Sequence, residues 1–223
     1  MEIIKTENIG KVYDNNGVPV NALKGIDLTI NRGEYIVIAG PSGSGKTTLL
    51  NLLGTLDKPT NGKIYFENED VSKKSRRELS EFRLRKFGFI FQAYNLIPVL
   101  TAYENIEFSM ILLGIEKKER RKRVMSLMEE LGIKEMADKK PNDMSGGQQQ
   151  RVAAARAIIN NPSIVLADEP TANLDSNTGA NLMDMLKKLN REKEITFIFS
   201  SHDNLVIERA ERLLILKDGM LEK

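Results

Sequence analysis

The 223-residue chain carries 33 basic and 31 acidic side chains, a single histidine and no cysteine. The near balance of charge excludes the global positive field that draws proteins onto nucleic acid, and the lack of cysteine excludes disulfides and thiolate metal sites and suits a reducing interior. With 41% hydrophobic residues the chain can bury a full core, yet its charged N-terminus lacks a signal-peptide centre and no apolar run approaches the roughly 20 residues of a spanning helix. The expectation is one soluble, cytoplasmic unit, with nothing left beyond the last strand for a membrane or tail domain.

Residues 22–30 alternate, with Ile26, Leu28 and Ile30 on one side, and predict a half-buried strand. Residues 35–39, Tyr-Ile-Val-Ile-Ala, are apolar throughout and predict a buried strand of a parallel sheet. A glycine-rich loop follows directly. From 46 to 56, Leu49, Leu50, Leu52, Leu53 and Leu56 keep helical spacing, and Pro59 with Asn61-Gly62 predicts the turn that stops the helix. Short apolar runs at 87–91, 164–167, 195–199 and 213–216 predict further buried strands. Between 93 and 160 the pattern turns helical, at 102–113 and 118–131, which predicts a helical subdomain set into an α/β sheet. The basic run at 117–123 reads as a solvated helix face.

The loop Gly40, Pro41, Ser42, Gly43, Ser44, Gly45, Lys46, Thr47 has the Gly-x-x-x-x-Gly-Lys-Thr spacing of a phosphate cradle. Glycines let backbone N–H groups converge on anionic oxygens, and the helix that starts near Lys46 adds its positive end. Lys46 would reach the β- and γ-phosphates. Thr47 offers a hydroxyl to Mg²⁺, which leaves Thr48 for the phosphate side.

A second apolar strand ends in Asp168-Glu169, at the sheet edge where open α/β folds carry their sites. Beside a phosphate loop, Asp168 would hold Mg²⁺ and Glu169 would orient and deprotonate the attacking water. Gln92 closes the strand at 87–91: it either contacts Mg²⁺ or the water, or is simply a polar strand end. His202, two serines after the run at 195–199, is either structural or a hydrogen-bond partner of the γ-phosphate or the water. Tyr13 either stacks on a base or packs within its strand. Ser145 is a credible N-cap for a helix over 149–159, and Gly146, Gly147 and Gln148 extend a second anion-binding helix start. Two phosphate-binding ends with one acidic pair hint at a site shared between two copies.

Assembled in this order, the residues resemble the nucleotide-binding subunit of an ATP-binding-cassette (ABC) transporter, from Tyr13 to the C-terminus. The resemblance implies an α/β phosphate-loop NTPase (RecA-like) core with a mixed sheet at 1–92 and 161–223. It further implies an N-terminal antiparallel β subdomain and an inserted helical signature subdomain at 93–160. In the family, the Ser-Gly-Gly-Gln segment of one subunit caps the γ-phosphate held by the other, so two ATP-Mg²⁺ are sandwiched in a head-to-tail homodimer. By position, Tyr13 is similar to the adenine-stacking residue, Gln92 to the residue that links the site to a permease, and His202 to the switch histidine. Asn173-Leu174-Asp175 is similar to the segment that crosses the dimer interface and so brings Asp175 to the nucleotide. Met144 and Asn173 depart from the family pattern, where leucine and a small residue are usual. The resemblance also implies hydrolysis of ATP, an integral-membrane permease as partner and a peripheral place on the cytoplasmic membrane face. Within the family, the segments 89–98 and 145–151 resemble the lipoprotein-release and macrolide-export group, which would export or extract a lipid-linked, peptide or drug-like substrate. Regulation of a cell-wall or sensing complex is the alternative. Tyr94, Leu96, Ile97, Pro98 and Leu100 either dock the permease or pack the insert.

Overall fold

The structure, a computed structural model, describes residues 1–15 and 18–222. Strands β1 (Glu2–Asn15) and β2 (Val18–Asn31) pair antiparallel. The chain then enters a second sheet with β3 (Tyr35–Ala39), passes through α1 (Lys46–Leu53) and returns to the first sheet with β4 (Asn61–Phe66) and β5 (Glu69–Asp70). The first sheet has the order β2-β1-β4-β5. β1 shows no clean period of two in sequence because four register shifts interrupt its pairing with β2.

After α2 (Arg76–Lys86) come β6 (Phe87–Ile90), helices α3 (Ala102–Leu112), α4 (Lys117–Glu130) and α5 (Gly146–Ile158), and β7 (Ile164–Asp168). Helix α6 (Ser176–Lys193), β8 (Thr196–Ser201), the short α7 (Asn204–Ile207), β9 (Arg212–Lys217) and β10 (Met220–Leu221) come last. The second sheet runs β10-β9-β3-β8-β7-β6; its inner pairs are parallel and β10 is antiparallel to β9, so the sheet is mixed, as expected.

Every residue of β3 is buried because both sheet faces are covered. Tyr35 and Val37 point into a core shared with α3, α5 and α6, whereas Ile36 and Ile38 join one built from α1 and the antiparallel sheet. Truncating an anchor such as Phe199, wholly buried and 4.7 Å from the Tyr35 ring, would cost about 3–5 kcal/mol. With β3, β6, β7 and β8 parallel, the loops that leave their carboxyl ends gather at one edge.

Some boundaries differ from expectation for local reasons. α1 stops at Leu53, not Leu56, because Gly54 caps it and Thr55 turns left-handed at φ 55°. Asn61-Gly62 opens β4 instead of forming a free turn. The basic run is only partly a solvated face: Arg120 donates to Glu107 at 3.0 Å with both side chains largely buried, which ties α4 to α3.

The segment between β6 and α3 is irregular but held. Asn105, fully buried, accepts from Ile97 N at 2.8 Å and donates to the carbonyls of Ile97 and Leu100 at 3.1 Å and of Thr101 at 2.9 Å. The Arg156 guanidinium donates to the carbonyl of Tyr94 at 2.9 Å and to that of Asn95, two residues in left-handed conformation at φ 59° and 49°.

Candidate functional site

The phosphate loop leaves β3 and curls into α1. Gly45 is the N-cap residue at φ 103°, and a Cβ there would lie 2.6 Å from the Ala22 carbonyl oxygen, so only glycine fits. No side chain caps this helix start, which leaves its first N–H groups for a ligand. The Lys46 ammonium donates to the carbonyls of Gly40 at 2.8 Å and Pro41 at 3.0 Å and is held inside the curl.

Behind the loop, the Thr47 hydroxyl lies 3.2 and 3.1 Å from the two carboxylate oxygens of Asp168, which also accepts from the Ser200 hydroxyl. These are hard oxygen donors of the kind Mg²⁺ takes. Among the described residues no cluster of three or more His, Cys, Asp or Glu side chains could hold a metal by itself.

Glu169 follows with its backbone left-handed at φ 45°, a conformation that costs a non-glycine residue about 1–2 kcal/mol. Its side chain is fixed at both oxygens: Oε2 accepts from the Ser201 hydroxyl at 3.0 Å, and Oε1 lies 2.7 Å from His202 Nδ1.

A cavity of about 590 Å³, within the range of small-ligand sites, brings together Tyr13, Pro41, Ser42, Gly43, Gly45, Lys46, Thr47, Thr48, Gln92, Glu169 and His202. Half-exposed at its rim, Tyr13 donates its hydroxyl to Asp57 at 2.9 Å, and the Lys11 ammonium sits 4.8 Å from its ring centre. Burial and the neighbouring Asp57 carboxylate hold this phenol above its ordinary pKa. Gly40 and Ser44 do not line the cavity; a Cβ at Gly40 would lie 2.1 Å from the Leu216 carbonyl. Val20, Asn21 and Ala22 of β2 also line it, with no motif to mark them. Ser200 and Ser201, the anchors of the two carboxylates, had one sequence signal: they close an apolar strand at its functional edge.

The structure does not bring Ser145, Gly146, Gly147 and Gln148 to this cavity. Ser145 is the N-cap of α5 in a capping box: its hydroxyl accepts from Gln148 N at 3.3 Å, and the Gln148 side chain accepts from Ser145 N at 2.9 Å. The glycines allow close approach: a Cβ at Gly146 would lie 2.7 Å from the Tyr94 hydroxyl and one at Gly147 2.5 Å from Thr178 Cγ2, so those side chains would have to shift. Asp175 is likewise outside the cavity. It caps α6, accepting from the N–H groups of Asn177 and Thr178 at 3.1 and 3.0 Å and from the Thr178 hydroxyl at 2.6 Å.

The sequence pattern described as "ABC transporter" matches residues 23–172, more than half of the chain. The chain belongs to the ABC transporter family. It is 47% identical to the Uncharacterized ABC transporter ATP-binding protein MJ0796 of Methanocaldococcus jannaschii, an alignment that covers 99% of this chain and 96% of that one. It is 46% identical to the Macrolide export ATP-binding/permease protein MacB of Brucella melitensis, over 98% of this chain and 34% of that longer protein. A solved structure described as the dimeric post-hydrolysis state of the ATP-binding cassette MJ0796 bound to ADP and Pi superposes with a TM-score of 0.92, at 46% identity over 99% of this chain and 97% of that one. This chain is an ABC ATP-binding cassette with the α/β phosphate-loop fold, and its enzymatic activity is hydrolysis of ATP.

Proposed function

We propose that two copies of this chain close head to tail around two ATP-Mg²⁺ and drive a membrane permease. One observation carries the reading: the cavity gathers the phosphate loop, Gln92, Glu169 and His202, while the second helix start, Ser145 to Gln148, lies outside it. A second copy would supply that end. The dimeric form of the similar M. jannaschii cassette supports this. Residues 93–160 act in this reading as the subdomain that carries the signature, set into the core of 1–92 and 161–223.

Within each site, Gly40 to Thr48 cradle the phosphates, and Lys46 balances the charge of the β- and γ-phosphates. Thr47 and Asp168, with Gln92 at the same cavity, would hold Mg²⁺, which would supply charge neutralisation to the phosphates. Water attacks the γ-phosphorus, the bond to ADP breaks, and the water proton passes to Glu169, whose carboxylate Ser201 and His202 hold still. Tyr13 stacks on the adenine.

The permease would dock in a groove of about 780 Å³ between α2, β6 and α3, floored by Phe89 and Phe91 and flanked by Arg77, Arg85, Leu112 and Leu113. Phe91 adjoins Gln92 in the chain, so pressure in the groove reaches the site directly. The paired arginines favour a short helix with an apolar face and acidic flanks. Of the five residues with two readings, Tyr94, Leu96, Ile97 and Leu100 are partly buried, Leu96 against the core, and Pro98 is exposed beside Val99, which was not among them and is 71% exposed. In this reading the cassette sits peripherally on the cytoplasmic membrane face, and export or extraction is the work performed.

The deciding experiment is Glu169→Gln with ATP and Mg²⁺. Turnover should fall by about 10²–10⁴ while ATP remains bound, and light scattering should report a dimer. A persistent monomer at high protein concentration would overturn the two-copy site. Leu112→Asp should reduce co-purification of a membrane protein and leave ATP hydrolysis by the isolated chain unchanged.

A further inference from the structure

Six residues, 170–175, join Glu169 to α6 with no strand or helix of their own. Two side-chain amides fix them. Gln150, wholly buried one turn into α5, donates Nε2 to the Pro170 carbonyl at 2.7 Å, and its Oε1 has no hydrogen-bond partner. Asn173 donates Nδ2 to the Gln92 carbonyl at 2.9 Å. The segment that begins at Glu169 is therefore tied at one point to the helix of Ser145 and at another to the main chain of Gln92.

Stability explains only half of the Gln150 amide, the donor that pairs the buried Pro170 carbonyl. A buried amide with an unpaired oxygen carries a desolvation penalty that an apolar side chain of the same size would avoid. What the amide does is hold the peptide carbonyl immediately after Glu169, a residue whose backbone is already left-handed. Asn173, where a small residue would make no such bond, clamps the far end of the same segment to the strand end that carries Gln92.

We propose that Gln150 and Asn173 are positioning residues for ATP hydrolysis, two amides that register the Glu169 segment against Gln92 on one side and the Ser145 helix on the other. The proposal rests on the reading of Glu169 as the group that takes the water proton. Movement of the Ser145 end is then felt at Glu169 of the same chain through Gln150.

The test uses the full-length chain, with phosphate release for kcat and KM, calorimetry for ATP affinity and thermal unfolding for Tm. Gln150→Leu removes the donor together with the unpaired oxygen but leaves the buried Pro170 carbonyl without a partner, so Tm should fall by a few degrees while the protein still folds. ATP affinity and KM should stay within about twofold, and kcat should fall about tenfold through misplacement of Glu169. Asn173→Ala, at an exposed residue, should lower kcat about threefold with Tm unchanged. Asn173→Asp, equal in size but without the amide donor, should match it. Wild-type kcat in Gln150→Leu while Glu169→Gln is inactive would overturn the proposal and leave the reading of Glu169 standing. If Gln150→Leu fails to fold, Asn173→Ala decides, and wild-type kcat there overturns the proposal. Wild-type turnover in Glu169→Gln would instead remove the reading beneath it.

Discussion

The two glycine-containing helix starts of this chain are built by opposite devices. α1 begins at Gly45 with no side-chain cap and with a cation, Lys46, folded into its mouth. α5 begins at Ser145 with a complete capping box and has no lysine or arginine in its first turn. An uncapped start keeps its donors for a ligand and depends on the ligand to satisfy them. A capped start is satisfied already, so it can wait outside a cavity and meet a phosphate only when another molecule brings one. The first arrangement suits a resident nucleotide, the second a contact made and broken once per cycle.

Lys46→Ala tests the open start and should have the largest effect. Charge-assisted bonds to phosphate are worth about 1.5–3 kcal/mol each, so loss of the ammonium should weaken ATP binding about 100-fold by titration calorimetry. Affinity close to wild type would mean that the bare helix start suffices alone. Ser145→Asp tests the capped start. Aspartate caps as well as serine, so Tm should hold, but a second negative charge facing a phosphate should cut turnover about 30-fold. Unchanged phosphate release would reduce Ser145 to a cap and nothing more.

Asp175 sharpens the comparison least in size but most in chemistry, because it is another capped start, on the segment proposed to cross the interface. The Thr178 hydroxyl and N–H hold its carboxyl below the ordinary aspartate pKa. The stabilisation is thus present above the unfolded value, near 3.9, and is lost as pH falls through the folded one. Asp175→Asn, which still caps, should flatten the decline of Tm on acidification below about pH 4 and leave Tm at pH 7 nearly unchanged. A wild-type acid profile in this variant would place the acid-sensitive group elsewhere.

How much of the molecule was legible from sequence depended on whether a residue announces its environment locally. Tyr35 to Ala39 and Ile164 to Asp168 are buried on both faces, so unbroken apolar runs betrayed them. Helix α2 went unseen because its sequence, Arg-Arg-Glu-Leu-Ser-Glu-Phe-Arg-Leu-Arg-Lys, buries only Leu79 and shows no apolar stripe; its one signal is the capping box of Ser75 and Glu78. In the site, the phosphate loop and acidic pair were visible because their chemistry lies in contiguous residues. The roles of Gln150 and Asn173 were not, since their partners stand 20 and 81 positions away and are main-chain carbonyls, which leave no mark in a sequence. Tyr13 shows the intermediate case: its placement at the rim was foreseeable, but its bond to Asp57 needed the fold.

The amide of Asn105 turns wholly to the stretch between Ile97 and Thr101, accepting once and sharing its two N–H groups among three carbonyls, immediately beside the most exposed apolar side chain of that stretch, Val99. Pinned at so many points to the first turns of α3, this stretch is stiff. A displacement of its tip at Val99 would therefore carry the start of α3 along instead of bending the stretch alone.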